Sequence, residues 1–331
     1  MRSGARISLA ASAVAALLAL AAVACQQDLE QVSQVSKLRV LAVQTDPPEA
    51  SPGEAVGLRV LTADPAGDGR PIVAGGVAVS GLVTPSASEI EEPELFWPLA
   101  PSAAGEDGVV DLGSLGIPPD AGEVIPPEEG SLPATAIVLI CAGGGQELAG
   151  ELTDALLEGF GSIDLEDPAA ITELCQQAGA EEGLVAFKTF DMSALEPGDP
   201  NRNLNPRIGA LYFDKGAGPV EEGGGSDYAC TGSDGCREGV LLQVYLTEDS
   251  FQQYEKEVFG QTEVADERNY VSWFVSGGSF TQNRSGNNGE PSDPFEVEWL
   301  PPREGGEFDL WVVAHDIRGG VSWRAYRVSA E

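Results

Sequence analysis

The chain is poor in histidine and in basic residues. It has one histidine in 331 residues, and 18 lysines and arginines against 53 aspartates and glutamates, a formal charge of −35. So sparse a basic complement excludes nucleic acid and anionic lipid as partners of the protein surface, since both are bound through clustered cations. Most of the excess carboxylates must be solvated, because burying an unpaired charge costs several kcal/mol. A lone imidazole, His315, and cysteines without C-x-x-C spacing exclude the common zinc centres. No G-x-S-x-G elbow occurs, and the glycine clusters at 142–146 and 222–226 lack the Lys and Ser/Thr of a phosphate loop. "DPNRNL", 199–204, opens like a calcium loop, but Leu204 stands at the turn glycine and Ala210 at the bidentate position. The sequence therefore points to no catalytic residue, no cofactor and no metal, and His315 is expected as an exposed turn residue.

What is present at the amino end is an export layout. Arg2 and Arg6 precede residues 7–24, which carry no charge. Eighteen residues at about 1.5 Å each would reach about 27 Å, barely a bilayer core, and much of the run is alanine, so a cleaved signal at 1–24 is expected over a spanning helix. Ala22-Val23-Ala24-Cys25 resembles the lipobox of bacterial lipoproteins, with Ala in place of the usual Leu at its first position. The resemblance implies lipid on Cys25, a membrane hold through that lipid, and, with Gln26 after it, the outer membrane of the cell envelope. Residues 25–36 would then be anchor and short tether. Without residues 1–24 the chain keeps 16 basic residues against 53 acidic, a formal −37.

With Cys25 given to a lipid, four cysteines remain in an oxidising compartment, and four allow three pairings. Cys230 and Cys236 flank the turn-forming "TGSDG" and make the first candidate pair; Cys141 with Cys175 follows by elimination.

The rest is dominated by short apolar or alternating runs bounded by Gly, Pro, Asn and Asp, which are strand signals. They recur in one order. "EAVGLRVLTAD" at 54–64 lines up with "EGVLLQVYLTED" at 238–249, each after another strand-like run, 38–43 and 207–213. "LFWPL" at 95–99 and "VSWFV" at 271–275 each offer a Trp on an expected middle strand, and 135–142 and 307–314 lead toward 183–190 and 319–328. This pattern resembles immunoglobulin-like or fibronectin-type domains and implies a mainly β chain of two tandem antiparallel sandwiches. The expected domains are 37–192 and 207–331, with a linker at 193–206. Trp273, Trp299, Trp311 and Trp323 are expected to pack in the second.

Two helices are expected in an insert at 143–182 of the first domain. "ELAGELTDALLEGF", 147–160, has Leu148, Leu152, Ala155 and Leu156 at helical spacing. "DPAAITELCQQAG", 167–179, has Asp167 as cap, Pro168 at the first helical position and Gly179 as stop, with Ile171, Leu174, Cys175 and Ala178 on one face. Cys175 then points inward, where a bond to Cys141 would staple the insert to the strand it leaves. A third helix is expected at 249–260, capped by Ser250 and Gln253. The function implied is a non-enzymatic, lipid-anchored binding, adhesion or assembly module with an envelope protein or glycan as partner. A solute- or glycan-binding lipoprotein using exposed aromatics of the second domain and a structural spacer are the alternatives.

Overall fold

The computed structural model describes residues 32–81, 95–123, 130–144, 148, 150–152, 167–213, 219–220, 222–223, 225–228, 239–258 and 261–330. Residues 33–331 form one compact unit. Its first half contains β1 (Arg39–Asp46), β2 (Glu49–Ala50), β3 (Ala55–Ala63), β4 (Ile72–Ser80), β5 (Phe96–Ala103), β6 (Val109–Gly116), β7 (Ser131–Ala142) and β8 (Glu182–Ser193). These make a three-stranded sheet, β1-β3-β6, facing a second sheet ordered β2-β8-β7-β4-β5. Val56, Leu58 and Val60 alternate inward from β3 to meet Ala136, Val138 and Ile140 from β7, the period of two that a half-buried strand requires.

The second half follows the same plan. Its strands are β9 (Ile208–Phe213), β10 (Pro219–Val220), β11 (Gly225–Tyr228), β12 (Val240–Leu246), β13 (Gln253–Val258), β14 (Gln261–Asp266), β15 (Asn269–Val275), β16 (Ser279–Phe280), β17 (Arg284–Gly286), β18 (Phe295–Leu300), β19 (Gly306–Asp316) and β20 (Val321–Ala330). The sheets run β10-β9-β12-β18-β16 and β11-β20-β19-β15-β17. Thus β1-β3-β6 corresponds to β9-β12-β18, and β8-β7-β4-β5 to β20-β19-β15-β17. In each half a short strand, β2 or β11, crosses to lie parallel to the last strand. The chain is mainly β, two antiparallel immunoglobulin-like sandwiches, and their shared order is the architecture the recurring runs predicted.

The correspondence also corrects the alignment of tryptophans. β15 matches β4, so Trp273 sits on a middle strand while Trp97 lies on β5, the edge. Both are buried, and Trp97 donates its indole N–H to the Gly116 carbonyl at 2.9 Å.

The expected helix at 249–260 is absent. Glu248–Ser250 is a single 3-10 turn, and β13 pairs with β14 as a hairpin from Gln253↔Asp266 to Val258↔Gln261. The capping groups are taken by distant partners. Ser250 Oγ accepts from the Arg207 amide at 2.9 Å, and Gln253 donates its side-chain amide to Asp266 at 2.9 Å.

In the insert, the helix Pro168–Gln177 forms as the sequence predicts. Asp167 accepts from the Ala169 amide at 2.9 Å, proline opens the first turn, and Gly179 follows the end at φ +80°. Leu148, Gly150, Glu151 and Leu152 are also helical, and the rest of 147–160 lies outside the described residues. Leu148, Leu152, Ile171, Leu174, Ala178 and Ala180 pack on Val73, Leu139 and Cys141, the outward face of the first sandwich. Cys141 and Cys175 are disulfide-bonded, with Cα atoms 5.5 Å apart. The helix lies so close to β8 that a Cβ on Gly183 would come within 2.5 Å of Cys175 Sγ. Among the described residues no helix is long and apolar enough to cross a membrane.

Candidate functional site at the joint between the sandwiches

The core faces of β3 and β19 leave some of their buried apolar residues unaccounted for. Leu61 and Ala63 on β3, Leu41 and Ala42 on β1, and Trp311, Val313 and Val321 on β19 and β20 are buried in a separate cluster, an apolar seam where the two sandwiches meet back to back. The continuous run "DLWVVA" at 309–314 was the available signal, since a strand buried on both faces reads as unbroken apolar sequence. Val35 is buried in the same seam. It reaches there because Ser33 and Val35 exchange backbone bonds with Val275, so this part of the expected tether is docked on β15 of the second sandwich. Gln44 donates to the Val321 carbonyl at 2.6 Å, and the Arg59 guanidinium stands 5.5 Å over the Trp323 ring.

A polar cluster closes one end of the seam. Arg318, in the β19–β20 turn, donates to Glu267 at 2.5 Å, to the Asn201 carbonyl at 2.8 Å and to Gln252, and lies 4.1 Å over the Tyr254 ring. Arg202 donates twice to the Glu49 carbonyl and also pairs with Glu54. Lys188, from β8, donates to the Gly319 carbonyl across the joint. The Asp316 carboxylate caps the turn by accepting from the Arg318 and Gly320 amides at 2.8 and 2.7 Å, and a Cβ at Gly320 would sit 2.0 Å from its other oxygen. Burial pushes the Lys188 ammonium down to about 8, and pushes the Asp316, Glu267 and Asp191 carboxyls up. None of these joint-closing cations was singled out by spacing, because each meets its partners across long sequence separations.

The residues singled out in sequence fall as follows. Two side chains of the calcium-like stretch serve the backbone: Asp199 accepts from the Asn201 amide, and Asn201 from the Glu255 amide. No group of three or more His, Cys, Asp or Glu among the described residues is arranged to hold a metal. His315 is not the exposed turn residue expected. It is the penultimate residue of β19, half-buried and stacked on Tyr270 at 4.6 Å with planes 9° apart, and burial, helped by the charges of Lys188 and Arg284, pushes its imidazole down to about 4. Trp273 and Trp299 are fully buried, while Trp311 and Trp323 belong to the seam. Cys25, Cys230 and Cys236 lie outside the described residues.

Beside the seam opens a cleft of about 730 Å³. One wall is the β3–β4 loop with Asp64 and Arg70, another the β5–β6 turn with Glu106 and Asp107, and the third β19 and β20 with Asp309 and Arg327. Ala63, Trp311 and Ala325 are shared between cleft and seam. Arg70 holds Asp64 at 2.5 Å, Glu182 at 2.7 Å and Glu181 at 3.2 Å, partners that raise its already high pKa.

No protein-family model matches this chain, and no curated protein matches it. Among solved structures it is similar to dimeric latent PorU from Porphyromonas gingivalis, at 11% identity and a TM-score of 0.23. That match covers 89% of this chain and 24% of the other, so the chain spans about a quarter of its length. It is also similar to the N-terminal Ig1-2 module of the Drosophila receptor protein tyrosine phosphatase DLAR, at 10% identity and a TM-score of 0.18, covering 89% of this chain and 99% of that one. At such scores neither likeness bears on function, and the architecture rests on the strand order.

Proposed function

We propose that the chain is a non-enzymatic, lipid-anchored protein of the cell envelope, held at the outer membrane through Cys25, whose two sandwiches act together as a binding, adhesion or assembly module. The observation that carries the reading is the joint. Two sandwiches share a buried seam, the chain that leads to the expected anchor is docked into it, and a cleft of ligand-binding size opens at its margin. Arg2, Arg6, the uncharged stretch 7–24 and Ala22-Val23-Ala24-Cys25 support the anchor. His315, the single imidazole, is committed to Tyr270, which leaves the non-enzymatic reading the simplest. The glycan-binding alternative asked for exposed aromatics in the second sandwich; Trp273, Trp299 and Trp311 are buried and the half-buried Trp323 ring lies under Arg59, so no tryptophan there offers an open platform.

Metabolic labelling with a fatty acid tests the anchor. Wild type is expected to be labelled and to fractionate with outer membrane, whereas Cys25→Ser is expected to be unlabelled and either uncleaved or released. An unlabelled, fully soluble wild type would remove the lipoprotein reading.

A further inference from the structure

Four features of the cleft bear on what it would take. Its shape is set before any ligand arrives. The β3–β4 loop is closed by Gly67 N–H to Asp64 and Arg70 N–H to Gly67, then clamped by the three carboxylates on Arg70. The β5–β6 turn is closed by Gly108 N–H to Gly105 and tied to β3 through both the amide and the hydroxyl of Thr62. Walls fixed in this way spare a ligand the ordering cost that a floppy site imposes. Second, the lining includes the exposed Pro65 and Pro71 and the half-buried Ala104 and Ala325, so an occupant has apolar surface to cover.

Third, the charge is one-sided. Carboxylates in and behind the walls are Asp64, Glu106, Asp107, Asp309, Glu181 and Glu182, against the guanidiniums of Arg70 and Arg327. Fourth, the cations are unequal. Arg70 is engaged by three carboxylates, but Arg327 meets Asp309 at 3.7 Å with both side chains largely exposed, and an exposed pair of that kind is worth little. An incoming cation can take Asp309 over. Glu106 and Asp107 are exposed on the facing turn. The formal charge of −35 on the whole chain adds long-range attraction for a basic ligand and repulsion of an acidic one.

We propose that this cleft receives a basic, partly apolar peptide segment of a partner protein, with lysine or arginine side chains meeting Glu106, Asp107 and Asp309 and apolar side chains lying against Pro65, Pro71 and Ala325. The assignment rests on the reading of the chain as a binding module and names the chemistry of its partner.

The test uses the full chain in neutral detergent and two fluorescein-labelled hexapeptides, LKLKLK and LELELE, followed by anisotropy. LKLKLK is expected to bind and LELELE not. Glu106→Gln with Asp107→Asn and Asp309→Asn, each keeping an acceptor oxygen, is expected to weaken LKLKLK at least tenfold. Removing three exposed charges elsewhere, Glu263→Gln with Glu290→Gln and Glu296→Gln, is expected to weaken it less than twofold. Equal losses in both triple variants would reduce the effect to overall charge and overturn the proposal, as would no binding at millimolar peptide. Should the cleft variant misfold, the wild-type indole N–H resonances decide: LKLKLK must move that of Trp311 and leave those of Trp273 and Trp299 in place, and the reverse contradicts the site. A partner whose capture by the mature chain is indifferent to the cleft variant would sink the cleft assignment and leave the module reading standing.

Discussion

Burial, helped by the charges of Lys188 and Arg284, holds the His315 imidazole neutral to about pH 4 in the folded chain, against about 6.5 when unfolded. As pH falls from 6.5 toward 4 the unfolded chain takes up the proton first, so this residue withdraws stability across that window, about 2 to 3 kcal/mol by pH 4.5. The Asp316, Glu267 and Asp191 carboxyls, raised by burial, work in the opposite sense, since the fold binds their protons before the unfolded chain does. Wild type and His315→Phe compared by urea unfolding at pH 7 and 4.5 should separate the two effects: the variant keeps a ring on Tyr270 and is expected to gain on wild type by that amount at the lower pH. Arg318 ties Asn201, between the two sandwiches, to the second of them. Arg318→Ala leaves Glu267, 3% exposed, without its cation and frees the linker carbonyl of Asn201, and is expected to cost about 3 to 5 kcal/mol in the same assay. Neither residue declared itself in sequence, because Glu267 lies 51 residues from Arg318 and nothing local links them.

At the scale of elements, the helical insert separates what sequence shows from what it hides. The helix Pro168–Gln177 was legible because its cap, its proline and its stop are all local, and its inward face agreed with the Cys141 pairing reached by elimination. The hairpin β13–β14 was hidden because Ser250 and Gln253 are good capping residues whose hydrogen bonds go to Arg207 and Asp266 instead. The insert itself covers Val73, Leu139 and Cys141, so replacing 145–180 by a Gly-Asn turn, with Cys141→Ser, is expected to expose an apolar sheet face and to unfold or aggregate the first sandwich. A shortened protein that stays folded and monomeric would show that the cover is dispensable. Both sulfurs are fully buried, so the disulfide is expected to resist dithiothreitol in native buffer and yield in urea; once reduced, the chain should be about 4 kcal/mol less stable, as for a loop of this length.

For the molecule as a whole, the duplicated β plan was readable from the recurring runs, apart from the match of 95–99 with 271–275, while the joint was not, since which outer faces meet is decided by shape and by cations distant in sequence. With −35 formal charges the unit repels itself at low ionic strength, and its melting temperature is expected to rise as salt is added. Leu61→Arg would place an unpaired charge in the seam and is expected to free the sandwiches from each other while each keeps its own core. The cleft exists only between the two sandwiches, so it requires that they hold one fixed relation. Residual dipolar couplings measured on both sandwiches of the mature chain test this directly. One alignment tensor fitting the amides of β3, β7, β12 and β19 together is the predicted result; two tensors of different magnitude would mean that the sandwiches move independently and that the cleft is not a standing feature of the protein.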